Sequence, residues 1–203
     1  MAVRLVAFDL DGTLIRGPDS LTVLAAGFAR PEWAERMEIL GMRGEDAAAM
    51  RRRVAPWLPI PAAERCRPLA SASLAPGADE AFRLLHARGV TTAIASLSWD
   101  FIVEWFAGRF GAAHYAAVGL AADGTVTPFW PEDKGPWLER LAATLGLRRA
   151  EVAAVGDSPR DAALLRAAGH GFYVGAELPA DLEGIEHHPD GDLARVARAI
   201  IDR

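Results

Sequence analysis

Short apolar runs alternate with helical patterns along most of the chain, and this alternation restricts the fold more than any other feature. Runs typical of buried β-strands occupy residues 3–8, 90–95, 114–118, 151–155 and 169–174. Helical patterns separate them, at residues 78–88, 99–106, 134–145 and 160–168. Residues 120–128 predict a hairpin with Asp123 and Gly124 at its turn. Such alternation predicts an α/β fold: a Rossmann-like, three-layer, doubly wound and mainly parallel sheet.

One long segment interrupts the alternation. Residues 19–72 contain no strand pattern, and they are rich in Ala, Leu, Arg and Glu with prolines as punctuation. This composition predicts three or four short helices. We expect residues 18–73 to form a small helical cap domain inserted after the first strand, and residues 1–17 and 74–203 to form the core domain.

Composition and charge narrow the possible partners. Of the 203 residues, 51% are hydrophobic, which is enough for one α/β core with a small insert. A net charge of −5 disfavours nucleic acid as the main partner. No uncharged apolar run approaches the roughly 18 residues of a membrane span, so we expect no membrane partner. Cys66 is the only cysteine and the first residues carry no secretory signal, so we expect a cytoplasmic protein without disulfides.

Polar residues cluster where the predicted strands end and the predicted helices begin. Asp9 and Asp11 follow the first strand, and two buried carboxylates so close together need a compensating cation or a chemical role. In an open α/β sheet, ligands bind beyond the carboxyl ends of the strands. The candidate residues at that edge are Asp9, Asp11, Ser96, Lys134, Asp157 and Asp161. Carboxylates without His or Cys favour Mg²⁺, whereas a lysine and a hydroxyl favour a phosphate.

Each of these residues also has a simpler interpretation when it is taken alone. The DLDG sequence could belong to a calcium loop, although the twelfth position is Ser20 and not the glutamate of an EF-hand. Asp157 or Ser158 could merely cap the following helix. Ser96 could be an ordinary hydroxyl at the end of a strand, and Lys134 a solvated residue at the start of a helix. The joint pattern favours a catalytic site.

Four short segments resemble, in the same order, the four motifs of the haloacid dehalogenase superfamily of phosphohydrolases. They are DLDGTL at residues 9–14, IAS at 94–96, Lys134, and GDSPRD at 156–161. Within that superfamily the sequence is most similar to the phosphoserine phosphatase type, from residue 3 to about residue 175.

The resemblance implies a role for each residue that matches a motif. Asp9 would attack phosphorus and form an aspartyl-phosphate, while Asp11 would act as general acid and then as general base. Mg²⁺ would be held by Asp9, the backbone carbonyl of Asp11, and Asp157. Asp161 would support the waters of the metal or Lys134 from behind.

The same resemblance places four residues at the substrate. Ser96 and Leu97 would bind the phosphoryl oxygens from the second motif, and Lys134 would offset their charge. Arg51, in the basic stretch MRRRV, matches the position of a carboxylate-binding arginine. Its alternative interpretation is a solvated helix face, because three consecutive arginines cannot all point inward.

Two departures from the phosphoserine phosphatase pattern leave the substrate open. Pro18 stands where a glutamate is expected to contact the substrate amine, and Leu97-Ser98 replaces the usual pair of glycines. We expect a Mg²⁺-dependent phosphatase of a small phosphomonoester. The alternatives are a phosphotransferase or mutase with the same intermediate, and a non-catalytic module that binds a partner on the same scaffold.

Overall fold

One seven-stranded sheet forms the centre of the molecule. The computed structural model describes residues 2–203, and of residues 62 and 63 the backbone alone. Its strands are β1 (Leu5–Phe8), β2 (Thr91–Trp99), β3 (His114–Leu120), β4 (Val126–Thr127), β5 (Val152–Gly156), β6 (His170–Tyr173) and β7 (Glu186–His187). Their spatial order is β4-β3-β2-β1-β5-β6-β7, and neighbouring strands are parallel except β3 and β4. The predicted doubly wound α/β fold is confirmed.

Helices connect the strands and fill the long insert. They are α1 (Ser20–Gly27), α2 (Glu32–Met37), α3 (Ala47–Val54), α4 (Ala62–Cys66), α5 (Ala78–Ala87), α6 (Asp100–Phe110), α7 (Lys134–Thr144), α8 (Ala162–Ala167) and α9 (Leu193–Ile201). Short 3₁₀ turns occupy Ile39–Met42, Ala55–Trp57, Arg67–Ser71, Pro131–Asp133, Arg149–Glu151, Pro159–Asp161 and Ala180–Leu182. Within residues 2–203, every helix is too short or too polar to cross a membrane.

Both faces of the sheet are buried under helices, as a three-layer architecture requires. On one face, Val6 of β1 belongs to a cluster that contains Phe82 of α5. On the other face, the neighbouring Leu5 packs in a cluster with Leu138 of α7 and Leu164 of α8. Because successive residues of a strand point to opposite faces, β1 is apolar throughout and buried on both sides.

Two sequence-based boundaries differ from the structure. The second strand was expected to end at residue 95 and a helix to begin at 99, but β2 continues to Trp99 and α6 begins at Asp100. The indole of Trp99 is fully buried and donates a 2.9 Å hydrogen bond to the carbonyl of Met37, so it belongs to the core and not to a helix surface. The strand β7 and the helix α9, which follow residue 174, are two further elements that the sequence patterns do not predict.

The hairpin predicted at residues 120–128 is confirmed. Strands β3 and β4 pair antiparallel, with Gly119 opposite Thr127 and Leu120 opposite Val126. The amide of Gly124 donates to the carbonyl of Ala121 at 2.9 Å and closes the turn. The hairpin extends one edge of the sheet toward the helical insert.

The insert, residues 18–73, contains α1 to α4. Its interior is aromatic: the rings of Trp33 and Trp57 lie 4.8 Å apart in an edge-to-face contact, and Phe28 packs against both. Such pairs add stability beyond the apolar area that they bury. The three or four short helices expected here are therefore present, together with three 3₁₀ turns.

The insert leaves and rejoins the sheet along a short antiparallel contact. The amide of Arg16 donates to the carbonyl of Ser73 at 2.8 Å, and the amide of Ala75 donates to the carbonyl of Leu14 at 2.9 Å. The two connections between the insert and the core therefore lie side by side. Two adjacent connections can act as a hinge for a segment that moves as one body. Its description as a separate cap domain with bounds at residues 18 and 73 stays a prediction.

Candidate active site

Three adjacent strands, β2, β1 and β5, place the candidate residues at the carboxyl-terminal end of the sheet. The chain proceeds from β1 to β2 on one side and later returns to β5 on the other, so β1 marks the point where the connections reverse. A crevice opens beyond the strand ends at such a point. Asp9 follows β1, Ser96 lies near the end of β2, and Asp157 follows β5.

A buried ion cluster joins Asp9 to the start of α7. The Nζ atom of Lys134 lies 2.6 Å from Oδ1 of Asp9 and 2.6 Å from Oδ1 of Asp161. The exposed fraction of each of these three residues is 5% or less. Gly135 makes this possible, because a Cβ there would lie 2.7 Å from the carbonyl oxygen of Ala163 and keep α7 away from α8. The first turn of α7 can therefore insert its lysine beside both carboxylates.

The charges in this cluster are not balanced. Burial and the neighbouring charge of Asp161 raise the pKa of Asp9 well above its usual value, although Lys134 pulls it down. Burial and Asp161 likewise raise the pKa of Asp157. Burial alone would lower the pKa of Lys134, but the two carboxylates raise it above its usual value. The ammonium therefore stays charged, and an excess of carboxylates remains around it.

The Asp161 side chain holds the loop after β5 in place by hydrogen bonds. Its Oδ2 accepts hydrogen bonds from the amides of Asp157 and Ser158 at 3.1 Å and from the Ser158 hydroxyl at 3.0 Å. Its Oδ1 accepts from Lys134. With both oxygens engaged, Asp161 is suited to holding Lys134 and the Asp157 backbone in place.

Carboxylate oxygens of Asp9, Asp157 and Asp161 all lie within 4.8 Å of one another. The Asp157 carboxylate is oriented by the Thr13 hydroxyl, which donates to it at 2.9 Å. A group of hard oxygen donors with surplus negative charge fits a divalent cation such as Mg²⁺. Asp9 and Asp157 are the members best able to bind it, since both oxygens of Asp161 already accept hydrogen bonds.

Asp11 lies in a separate environment on the insert side of Asp9. Its Oδ1 accepts from the amide of Ser20 at 2.6 Å, and its Oδ2 accepts from the Ser20 hydroxyl at 3.0 Å. Loss of hydration raises the pKa of Asp11 to about 6, against the opposing effect of these two hydrogen bonds. A carboxyl group with that pKa can give and take a proton near neutral pH.

The end of β2 is irregular and carries two buried hydroxyls. Its pairing with β3 shifts register between Ala95 and Trp99, as in a β-bulge. Within this stretch the Ser98 amide donates to the Ser96 hydroxyl oxygen at 3.1 Å. This contact uses a lone pair of the Ser96 oxygen and not its hydrogen. The Ser96 hydroxyl can therefore donate to a phosphoryl oxygen.

A cleft of about 440 Å³ lies between the sheet edge and the insert. Its core side includes Asp9, Asp11, Ser96, Leu97, Lys134 and Asp157. Its insert side includes Asp19, Leu21, Thr22, Ala34, Glu35, Glu38, Ile39 and Leu40. The structure thus brings six of the eight sequence-predicted residues to one cleft, and Asp161 lies directly behind Lys134.

Of the two predicted residues that do not line the cleft, Arg51 is the one that also lies away from the ion cluster. Helix α3 buries Met50 and Val54, which turns Arg51 outward. Its side chain lies beside the tip of the hairpin, so close that a Cβ on Gly124 would be 2.9 Å from the Arg51 Cγ. Arg51 therefore contacts the hairpin in this structure, and the cleft lining does not include it.

Three hydroxyl residues that shape the site have no signal in the sequence. Thr13, Ser20 and Ser98 contact candidate residues directly, yet hydroxyls at such positions carry no pattern of their own. The composition does contain one signal: Lys134 is the only lysine of the chain, and every other residue in its Lys+Arg total is an arginine. A single lysine in a chain that otherwise uses arginine indicates a position where the shape of the cationic group matters.

Comparison with known proteins identifies related sequences and folds. The family model of the haloacid dehalogenase-like hydrolases matches residues 6–166. Phosphoserine phosphatase SerB2 of Mycobacterium tuberculosis is 29% identical over 183 residues, which cover 86% of this chain and 44% of that protein. The chain therefore spans less than half the length of this relative.

Solved structures share the fold over nearly the whole chain. A substrate-bound phosphoserine phosphatase superposes with a TM-score of 0.72 at 22% identity, covering 98% of this chain and 99% of the other. A phospho-aspartyl intermediate analogue of phosphoserine phosphatase gives a TM-score of 0.66 at 22% identity, covering 92% and 93%. At this level of identity the likeness establishes the fold.

Proposed function

The chain belongs to the haloacid dehalogenase-like hydrolases, and from that premise we propose that it is a Mg²⁺-dependent phosphatase of a small phosphomonoester. The observation that carries the proposal is the contact of Lys134 with Asp9 beside Asp157, in a cleft that Asp11 and Ser96 also line. A nucleophilic carboxylate, a proton donor, a phosphate-binding hydroxyl and a buried cation are the parts that phosphoryl transfer through an enzyme carboxylate needs.

Asp9 is the nucleophile in this proposal. One of its oxygens attacks phosphorus, the bond from phosphorus to the leaving oxygen breaks, and an aspartyl-phosphate forms. The salt bridge to Lys134 orients the carboxylate and reduces its repulsion of the incoming phosphate. The Ser96 hydroxyl donates to a phosphoryl oxygen, which holds the phosphorus in line with Asp9.

Asp11 transfers the protons. In the first step it gives its proton to the leaving oxygen, so that a neutral alcohol departs. In the second step it takes a proton from the water that attacks the aspartyl-phosphate, and inorganic phosphate is released. The pKa of about 6 and the position of Asp11 in the cleft support both roles.

The donor set also supports a resident cation. Asp9, the backbone carbonyl of Asp11, and Asp157 would hold Mg²⁺, which supplies positive charge to the phosphoryl group and to the crowded carboxylates. Asp161 then keeps Lys134 and the Asp157 backbone in register through the hydrogen bonds described above. We further propose that residues 18–73 act as a cap domain, because they supply one whole side of the cleft.

The test is release of inorganic phosphate from p-nitrophenyl phosphate with Mg²⁺, with and without a chelator. We expect Mg²⁺-dependent turnover that is lost in Asp9→Asn, whose neutral amide cannot attack phosphorus. Mass spectrometry of protein quenched during turnover should show one added phosphoryl group on Asp9. Equal phosphate release by the Asp9→Asn variant, or absence of release from a broad panel of phosphate esters, would contradict the proposal.

A further inference from the structure

A chain of hydrogen bonds connects Asp11 to Ser98 of β2 through Ser20, the first residue of α1. Ser20 donates to both oxygens of the Asp11 carboxyl group, through its amide at 2.6 Å and its hydroxyl at 3.0 Å. The same hydroxyl lies 2.8 Å from the hydroxyl of Ser98. Ser20 is therefore fixed between a core carboxyl group on one side and a core hydroxyl on the other.

Helix capping does not account for Ser20. A serine at a helix N-terminus usually caps the helix by accepting from an amide in the first turn. In α1 this is done by Asp19, whose carboxylate accepts from the amide of Thr22 at 2.7 Å. The Ser20 hydroxyl is left to turn inward, and Ser20 is completely buried.

Ser98 is similarly constrained. Its exposed fraction is 4%, and its amide contacts the Ser96 hydroxyl while its own hydroxyl contacts Ser20. Burying a hydroxyl is costly unless it forms hydrogen bonds, so two buried serines at this spot need a compensating benefit. Ser98 is also one of the two residues that replace the expected pair of glycines after Ser96.

The contacts of Ser20 fix the orientation of the Asp11 carboxyl group. Its two oxygens accept from two different atoms of one residue, Oδ1 from the Ser20 amide and Oδ2 from the Ser20 hydroxyl, so the plane of the carboxyl group cannot rotate freely. The Ser98 hydroxyl, 2.8 Å from that of Ser20, holds the second of these contacts in place.

We propose that Ser20 and Ser98 are positioning residues for proton transfer by Asp11, so that docking of α1 against the core sets the orientation of the acid. This inference rests on the proposed function. Ser20 lies in the insert, whereas Asp11 and Ser98 lie in the core. If α1 moved away from the core, Ser20 would lose its contacts with Asp11 and with Ser98, and the Asp11 carboxyl group would no longer be held in one orientation.

The effect can be isolated with two aryl esters of similar size. p-Nitrophenolate leaves readily without a proton, whereas the more basic phenolate of phenyl phosphate depends on the acid. The ratio kcat/KM includes steps up to the first irreversible one, which is release of the leaving group, and therefore reports on Asp11 as acid. In Ser20→Ala we expect kcat/KM to fall about 10-fold for phenyl phosphate and less than about 3-fold for p-nitrophenyl phosphate.

A double-mutant cycle tests whether Ser98 acts through Ser20. Ser98→Ala should reduce kcat/KM for phenyl phosphate in the parent but have little further effect in Ser20→Ala, because the two hydroxyls work as a pair. The matched control is Ser71→Ala, which removes an insert hydroxyl that bonds only locally to the carbonyl of Pro68. That variant should behave like the parent on both esters.

The outcomes separate this inference from the proposed function. A parent protein that releases phosphate from neither aryl ester, nor from the broad panel of phosphate esters, overturns both. An active parent whose Ser20→Ala variant loses activity equally on the two esters, or loses none, overturns the inference alone. A selective loss on phenyl phosphate, with an unchanged melting temperature, supports it.

Discussion

The Nζ atom of Lys134 lies 2.6 Å from Oδ1 of Asp9, although 125 positions separate the two residues in the chain. Lys134 is the single lysine of the sequence. A lysine ammonium is a compact charge that can contact two carboxylates at once, whereas the planar fork of an arginine needs more room. Oδ1 of Asp9 and Oδ1 of Asp161 each lie 2.6 Å from Nζ, so the space between the two carboxylates fits a single ammonium group. This explains why a lysine occurs at this one position.

Replacing Lys134 with methionine should destabilise the fold strongly. The substitution leaves Asp9 and Asp161 buried without their cation, and removing one partner of a buried ion pair typically costs about 3–5 kcal/mol. We expect the free energy of unfolding, measured by urea denaturation with a chelator present, to fall by roughly that amount. The double variant Lys134→Met, Asp161→Asn should recover part of the loss, because one buried carboxylate is then neutralised. If the single variant loses less than about 1 kcal/mol, the burial of Asp9 and Asp161 does not depend on the charge of Lys134.

Gly12→Ala should damage the metal site more than the fold. A Cβ on Gly12 would lie 2.2 Å from Oδ2 of Asp157, so the Asp157 carboxylate must leave its present position in the group with Asp9 and Asp161. Gly12 also has a φ of +91°, which costs a non-glycine residue about 1–2 kcal/mol. We expect the rise in melting temperature on adding Mg²⁺ to disappear, together with phosphate release.

Gly44→Ala is the matched control for backbone strain. Gly44 has a φ of +83°, but a Cβ there would meet nothing within 4 Å. This variant should lose similar stability and keep both the Mg²⁺-dependent rise in melting temperature and phosphatase activity. If Gly12→Ala responds to Mg²⁺ as the control does, Asp157 is not a ligand of the metal.

Local patterns were sufficient to predict the sheet and the gathering of its strand-end residues. Apolar runs fixed β1, β2 and β5, and parallel neighbours place their carboxyl ends together, so Asp9, Ser96 and Asp157 had to lie near one another. The strand β7 was missed because two residues carry no periodicity that could be detected. The sheet could be predicted because its signals lie within single elements.

The contacts of the insert could not be predicted in the same way. Arg51 faces the hairpin because Met50 and Val54 of α3 are buried, and the sequence of three arginines does not specify which side is buried. Ser20 reaches Asp11 only through the angle at which α1 docks on the core. These features depend on packing between elements that are distant in sequence.

Asp11→Asn should separate metal binding from turnover. The backbone carbonyl assigned to the metal is unchanged by this substitution, whereas the amide can neither give nor accept the catalytic proton. We expect the Mg²⁺-dependent rise in melting temperature to persist and phosphate release to fall by roughly 10² to 10⁴. A variant that no longer responds to Mg²⁺ would show that the Asp11 side chain itself is needed for the metal site.

The charges on the insert side of the cleft predict discrimination against substrates with a carboxylate. Asp19, Glu35 and Glu38 line that side, and Arg160 is the one cation that lines the cleft besides Lys134 among the residues described. Arg160 lies 3.9 Å from Glu38 and is more than half exposed. A carboxylate on the substrate would therefore enter among like charges, and opposition of about 1 kcal/mol or more from each close neighbour is expected.

O-phosphoserine and O-phosphoethanolamine test this directly, because they differ by one carboxylate. We expect kcat/KM to be about 10-fold higher for O-phosphoethanolamine, which corresponds to a difference of about 1.4 kcal/mol in transition-state binding. Glu35→Gln should narrow the ratio by improving O-phosphoserine, since Glu35 is an exposed lining residue without a role in the proposed chemistry. A parent enzyme that prefers O-phosphoserine would mean that Arg160 leaves Glu38 to bind the substrate carboxylate, and Arg160→Gln would then remove that preference.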